Sequence, residues 1–134
     1  LGRRVAHRST GRSAIWLRVR DDLGDDPMMQ ACALAFTSDD IPTDSVGSTH
    51  PRIGEVREDD IGYGDVFIGA SLDHAMWFHN DFRIDEWLLY RSDSPFAGGS
   101  RGLNFGSIYR QDGTLVAQCR RQAFMKKRPV GGQA

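Results

Sequence analysis

Nine residues limit what this chain can fold into: Met28 to Phe36 reads MMQACALAF, and Gln30 alone among them is not hydrophobic. A helix that is apolar on nearly every side needs cover on every side, so the run predicts a buried helix with the rest of the chain laid around it. Its ends are marked. Asp26 supplies a side-chain cap, Pro27 a first helical residue whose missing amide proton costs nothing, and Pro42 pushes Ile41 out of helical dihedrals. The helix is expected from about Pro27 to Asp39 or Asp40. Those two aspartates break a local rule, because the helix macrodipole disfavours negative charge at a C-terminus by about 0.3 to 1 kcal/mol each. Such breaks are where functional side chains tend to sit.

The rest of the chain reads as strand and loop. In Ala14 to Arg20, Ile15, Leu17 and Val19 alternate with Trp16, Arg18 and Arg20, the period of a half-buried strand. From Val66 a second alternation sets Ala70, Leu72, Met76 and Phe78, with His74 among them, against Ser71, Asp73, Ala75 and Trp77. Glu86 to Arg91 is a short apolar strand, after which Pro95 and Gly98-Gly99 mark a break or a bulge. Leu103 to Arg110 and Thr114 to Met125 are joined by Gln111-Asp112-Gly113, whose Asp-Gly pair signals a tight hairpin. A strand, a long helix and about four antiparallel strands give an α+β domain with the helix against a curved sheet.

At 134 residues and 40% hydrophobic content, there is material for one domain and one core. Residues 1–13 are expected to be a flexible arm or linker remnant, 14–127 the domain and 128–134 a disordered tail. The chain begins at Leu1, so a processed product or an excised piece of something longer is expected. Thr43 to Asp65, rich in glycine and acids, reads as a surface loop or a lid. With no apolar stretch near 18 residues and no signal-peptide core, a cytoplasmic protein outside the membrane is expected. Cys32 and Cys119 are too few for a disulfide framework and read as two reduced core thiols.

Residues 1 to 20 carry six Arg and no acid, whereas residues 21 to 70 carry twelve acids and two Arg. The basic ends could meet the phosphates of a nucleotide-bearing substrate, but they lack aromatic residues interleaved on one sheet face, so nucleic acid is not an expected partner. Other motifs fail on context. Gly98-Gly99-Ser100-Arg101-Gly102 matches a G-x-S-x-G nucleophile elbow, but an alternating strand follows where that motif needs a helix. Ser71, Asp73 and His74 are the residue types of a catalytic triad, yet regular strand alternation turns His74 away from the other two. Four scattered His and two distant Cys show no ligand spacing, so neither metal nor cofactor is expected.

Ser71 to Phe82 (SLDHAMWFHNDF), with Glu86-Trp87-Leu88-Leu89-Tyr90, Ser94-Pro95 and Gly98 through Leu103, resembles the C-terminal half of the acyl-CoA thioesterase II family. The similarity begins near Trp16-Leu17-Arg18 and Asp25-Asp26-Pro27, runs through Ala31 to Ala35 and Ser38-Asp39, and lasts to about Met125. The resemblance implies a hotdog fold, a long central helix wrapped by a curved antiparallel sheet. It implies acyl-CoA as substrate, and pairing with an identical chain or with a second hotdog domain. In that family a helix-end Asp, a Ser or Thr opening the DHxxWFH strand and a Gln on the last strand hold the water that attacks the thioester. Asp39 and Ser71 match the first two positions. At the third, Arg121 stands where the Gln is expected and Gln122 follows one residue later.

Two functions then compete: an acyl-CoA thioesterase with Asp39 as base and Ser71 orienting the water, and a weakened or inert acyl-CoA-binding or dimerisation half in which Arg121 has displaced the glutamine. Along the last strand Arg121 shares a face with Leu115, Ala117, Cys119, Ala123 and Met125. It should point inward, and only a one-residue bulge would bring Gln122 there instead.

Overall fold

The computed structural model describes residues 4–9, 11–40 and 67–127. Its elements run β1 (Arg4–Ser9), β2 (Arg12–Leu17), α1 (Pro27–Asp40), β3 (Phe67–Phe78), β4 (Leu88–Gly98), β5 (Arg101–Arg110) and β6 (Leu115–Lys127). The strands form one six-stranded sheet in the order β1-β2-β4-β5-β6-β3. Every neighbouring pair is antiparallel.

The helix starts as its sequence dictates. The Asp26 carboxylate accepts the Met28 amide at 2.9 Å, the geometry of a side-chain N-cap. Gln30, the one polar residue of the apolar run, is buried and fully used: its amide donates to Gly24 O at 2.8 Å and its carbonyl oxygen accepts from Ile84 N at 2.8 Å. The helix is thereby pinned to the segment between β3 and β4. Arg83 in that segment donates to Asp22, Asp25 and Asp85, fastening the helix approach from the other side. The Asp85 carboxyl is held below its ordinary range by the Arg83 guanidinium, and the Leu23 amide adds to the effect.

Leu34 of α1 belongs to one buried core cluster with Ile15, Leu17, Ile84, Leu88, Tyr90, Ile108, Val116, Ala117 and Cys119. Turns follow their local chemistry. Gly99 and Ser100 both adopt positive φ in the two-residue link between β4 and β5, so the G-x-S-x-G match is a hairpin turn. Gly113 has φ 86° and donates to Arg110 O, while Thr114 N binds the Asp112 carboxylate. The β4 register shifts between Asp93 and Phe96, so Pro95 is absorbed as a bulge and the strand continues past it.

Four expectations are corrected. Residues 4–9, read as part of an arm, form an edge strand paired with β2. Backbone pairing needs no apolar alternation, and Arg-rich sequence suits a sheet edge. The helix is covered on one side only. Leu34, Thr37 and Ser38 are buried, whereas Met28, Met29, Cys32 and Phe36 form an uncovered stripe, with Phe36 81% exposed. Cys32 is therefore a surface thiol and only Cys119 is buried. In β3 the register shifts between Ser71 and Asp73, so Leu72 is an extra residue and the alternation inverts there. The stretches 41–66 and 128–134, which hold the expected loop or lid and the expected tail, lie outside the described residues.

Candidate functional site

Three elements converge at the C-terminal end of α1. The helix delivers Ser38 and Asp39, β3 delivers Ser71 and His74, and β6 delivers Arg121. Ser71 pairs with Ala123 across the sheet, His74 with Arg121 and Met76 with Cys119, all on the helix side. With strict alternation Ser71 and His74 would face opposite ways. The extra residue at Leu72 puts both on the concave face and leaves Asp73 on the outer one, bound to Arg120. The apparent Ser71-Asp73-His74 combination is thus split, but along a different line from the one regular alternation predicts.

Ser71 Oγ donates to Asp39 Oδ1 at 2.8 Å. Among the described residues Oδ2 of Asp39 has no partner, and the side chain is 44% exposed. One carboxylate oxygen is held and the other faces outward. Arg121, 5% exposed, donates through Nη1 to the backbone carbonyl of Asp39. Its Nε stands 3.4 Å from Asp39 Oδ1, close enough for ionic attraction but without a hydrogen bond. The guanidinium therefore offsets the penalty on Asp39 at the helix end: it meets a C-terminal carbonyl and a carboxylate together.

Arg121 points inward, as the strand pattern requires. Gln122 does not reach this place. The strand β6 has no extra residue beside it, so Gln122 sits on the outer face opposite Asp73 and Leu103, its amide bound to Asp73 at 2.9 Å. Asp39, Ser71 and Arg121 come together, and Gln122 is excluded by the period of the strand.

Ser38, to which the motif reading gave no role, enters beside His74, which that reading took for a hydrogen-bonded core histidine. Ser38, fully buried, lies 3.1 Å from His74 Nε2 and donates to Ala35 O at 2.9 Å. The signal for Ser38 was its polarity at the close of an apolar helix; nothing in the sequence marks the bulge that turns His74 toward it. Below Arg121, the Tyr90 hydroxyl and Cys119 Sγ lie 3.2 Å apart. Burial pushes both groups up from their ordinary pKa, so Cys119 stays a neutral thiol rather than a nucleophile. No group of three or more His, Cys, Asp and Glu among the described residues is arranged to hold a metal ion.

Open hollows of about 560 and 630 Å³ lie elsewhere, one on the outer sheet face around Arg91 and Phe105, the other beside the helix N-terminus, and neither is lined by Asp39, Ser71 or Arg121. A carboxylate with a free oxygen beside an anchored hydroxyl, open to one side, is a geometry for activating water.

A family model described as the acyl-CoA thioesterase C-terminal domain matches residues 2–125. The chain belongs to that family. Within this acyl-CoA thioesterase family, it is similar to human acyl-coenzyme A thioesterase 8, 36% identical over 119 residues that make up 88% of this chain and 34% of that protein. Acyl-CoA thioesterase 2 of Haemophilus influenzae is 29% identical over 83% of this chain and 36% of its own length. The chain spans about a third of the length of these curated relatives. An acyl-CoA thioesterase II, TesB2, from Mycobacterium marinum superposes with TM-score 0.77 at 36% identity, covering 98% of this chain and 50% of that one. A Streptococcus mutans protein crystallised with acetyl-CoA shares the fold alone, with TM-score 0.69 at 14% identity over 95% of this chain and 90% of its own. The architecture is the hotdog fold expected from the resemblance, α+β with a long helix against a curved antiparallel sheet.

Proposed function

We propose that this chain contributes to the hydrolysis of fatty acyl-CoA to free acid and CoA, with Asp39 as general base and Ser71 as the group that orients the attacking water. The observation that carries the proposal is the 2.8 Å bond from Ser71 to Asp39 Oδ1, which leaves Oδ2 to accept a proton from water. Water adds to the thioester carbonyl as its proton moves to Asp39. The C–S bond then breaks, and the CoA thiolate takes that proton. A thioester is weakly resonance-stabilised and needs no stronger nucleophile than this. Acyl-CoA as the substrate is supported by family membership and by the names of the relatives.

A second reading is favoured by Arg121. Its guanidinium engages both the carbonyl and the carboxylate of Asp39 and so competes with water for that carboxylate. Under this reading the chain is a weakened or silent half that binds acyl-CoA or a second hotdog domain. The uncovered stripe on α1 supports a second hotdog domain, or a second copy, as partner under either reading. The free thiols at Cys32 and Cys119 fit the cytoplasmic setting read from the sequence.

The test is release of free thiol from acyl-CoAs of several chain lengths, with the chain alone and with an N-terminal partner hotdog added. Asp39→Asn is expected to abolish turnover in whichever assembly is active. Unchanged turnover in that variant would remove Asp39 from the chemistry.

A further inference from the structure

We infer that His74 is a positioning residue for Asp39, acting through Ser38 and fixed in the form that carries its proton on Nε2. The argument starts from one hydroxyl proton. Ser38 Oγ lies 2.9 Å from Ala35 O and 3.7 Å from Met76 Sδ; both only accept, and the carbonyl is the nearer and stronger acceptor, so the single Ser38 proton is committed to Ala35 O. The contact of 3.1 Å between Ser38 Oγ and His74 Nε2 must then be donated by the ring. Reversing it would leave the Ser38 oxygen and the Ala35 carbonyl facing each other at 2.9 Å with no proton between them. Among the described residues the other ring nitrogen, Nδ1, has no partner. Both the neutral Nε2–H ring and the imidazolium satisfy this arrangement, whereas the neutral Nδ1–H ring does not.

The hydrogen bonds therefore run in one direction, from His74 to Ser38 to the Ala35 carbonyl. In a regular helix that same carbonyl accepts the amide of the residue four further on, which is Asp39. Hydroxyl bonding back into a helix shifts the carbonyl it engages and bends the turn, so the last turn of α1 takes its shape from a side chain on β3. Ser38 is fully buried and His74 half-buried, so water does not compete for Ser38. Asp39 is then held at three points: its carboxylate by Ser71, its carbonyl by Arg121 and the far end of its amide bond by His74 through Ser38. The first two act on Asp39 directly; the third sets the direction in which the helix presents it.

The inference deepens the thioesterase reading and rests on it for its kinetic consequence, but the ring tautomer tests it separately. Heteronuclear NMR of the chain labelled at histidine nitrogen should show the neutral His74 ring protonated on Nε2 and bare on Nδ1. A neutral ring protonated on Nδ1 overturns the proposal. In the active assembly His74→Phe should lower kcat about tenfold with KM held within about twofold, the signature of a contact felt in the transition state rather than in binding. His74→Gln, whose amide nitrogen reaches the place of Nε2, should recover activity to within about threefold of the parent. Ser38→Ala removes one oxygen only and should reproduce the loss even where His74→Phe does not fold, and the double variant should lose no more than either single one. Parent-like kcat in both single variants, additive losses, or a glutamine variant no better than the phenylalanine one would each overturn it. If the parent cleaves no acyl-CoA in any assembly, the functional reading fails by itself. The tautomer, together with displacement of the Asp39 amide resonance in Ser38→Ala, then decides the structural claim.

Discussion

Arg121 meets both the carbonyl and the carboxylate of Asp39, and it changes the sign of an expectation drawn from the helix alone. Dipole reasoning makes Asp39→Asn slightly stabilising, because it removes negative charge from a helix C-terminus. With the buried guanidinium 3.4 Å from that carboxylate, the same change strands a charge. Asp39→Asn should therefore lower stability by about 1 to 2 kcal/mol, less than for a fully buried pair because the carboxylate is half open to water. Urea unfolding would read this. Arg121→Gln should free Asp39 and raise thioester cleavage by about tenfold, roughly 1.4 kcal/mol of barrier. A parent already as fast as the variant would show that Arg121 does not obstruct the site. A different charge governs acid stability. Arg83 holds the Asp85 carboxyl below its ordinary value of 3.8, so the stabilisation is complete above that value and is lost as pH falls through the lower folded-state pKa. Urea midpoints measured from about pH 6 down to about pH 3 should fall less steeply in Asp85→Asn than in the parent.

Elements were legible where local chemistry determined them. The helix limits followed from Asp26, Pro27 and Pro42, and the last hairpin from Asp112-Gly113; both stand where the sequence put them. Edges and irregularities were not legible. Strand β1 is held by backbone pairing that leaves no mark in side-chain period, and the extra residue at Leu72 has no distinctive composition, so Ser71 and His74 were assigned to opposite faces. Arg121 was placed correctly because β6 keeps strict alternation on both of its neighbours at that point. The strand β5 offers a sharper test of packing. A methyl group on Gly106 would lie 2.4 Å from the Tyr90 hydroxyl and 2.6 Å from Cys119 Sγ, two buried groups with little room to move. Gly106→Ala should cost about 1 to 3 kcal/mol by overpacking and be visible as a lowered Tm.

For the molecule as a whole, the stripe of Met28, Met29, Cys32 and Phe36 is the main unfinished surface. From the sequence, cover is expected on all sides of such a helix, and this stripe lacks it among the described residues. The sequence alone could not tell that these side chains would stand exposed. Contiguous apolar surface of this kind favours association, so sedimentation at tens of micromolar should find the chain self-associated, and Phe36→Glu should shift it toward monomer. A compact parent monomer at that concentration would count against a partner on this face. The extra residue in β3 has a consequence for inheritance. Leu72 is 54% exposed, so lineages can exchange it for almost any other amino acid without disturbing the site. Loss of its codon would spare the site as well: the frame would be preserved, Ser71 would still pair with Ala123 and Asp73 with Gln122, and regular alternation would then keep Ser71 and His74 on the helix side. In this fold both substitution and deletion at Leu72 are tolerated drift; what would silence the site is a slip of β3 that pairs Leu72 with Ala123 and turns Ser71 outward.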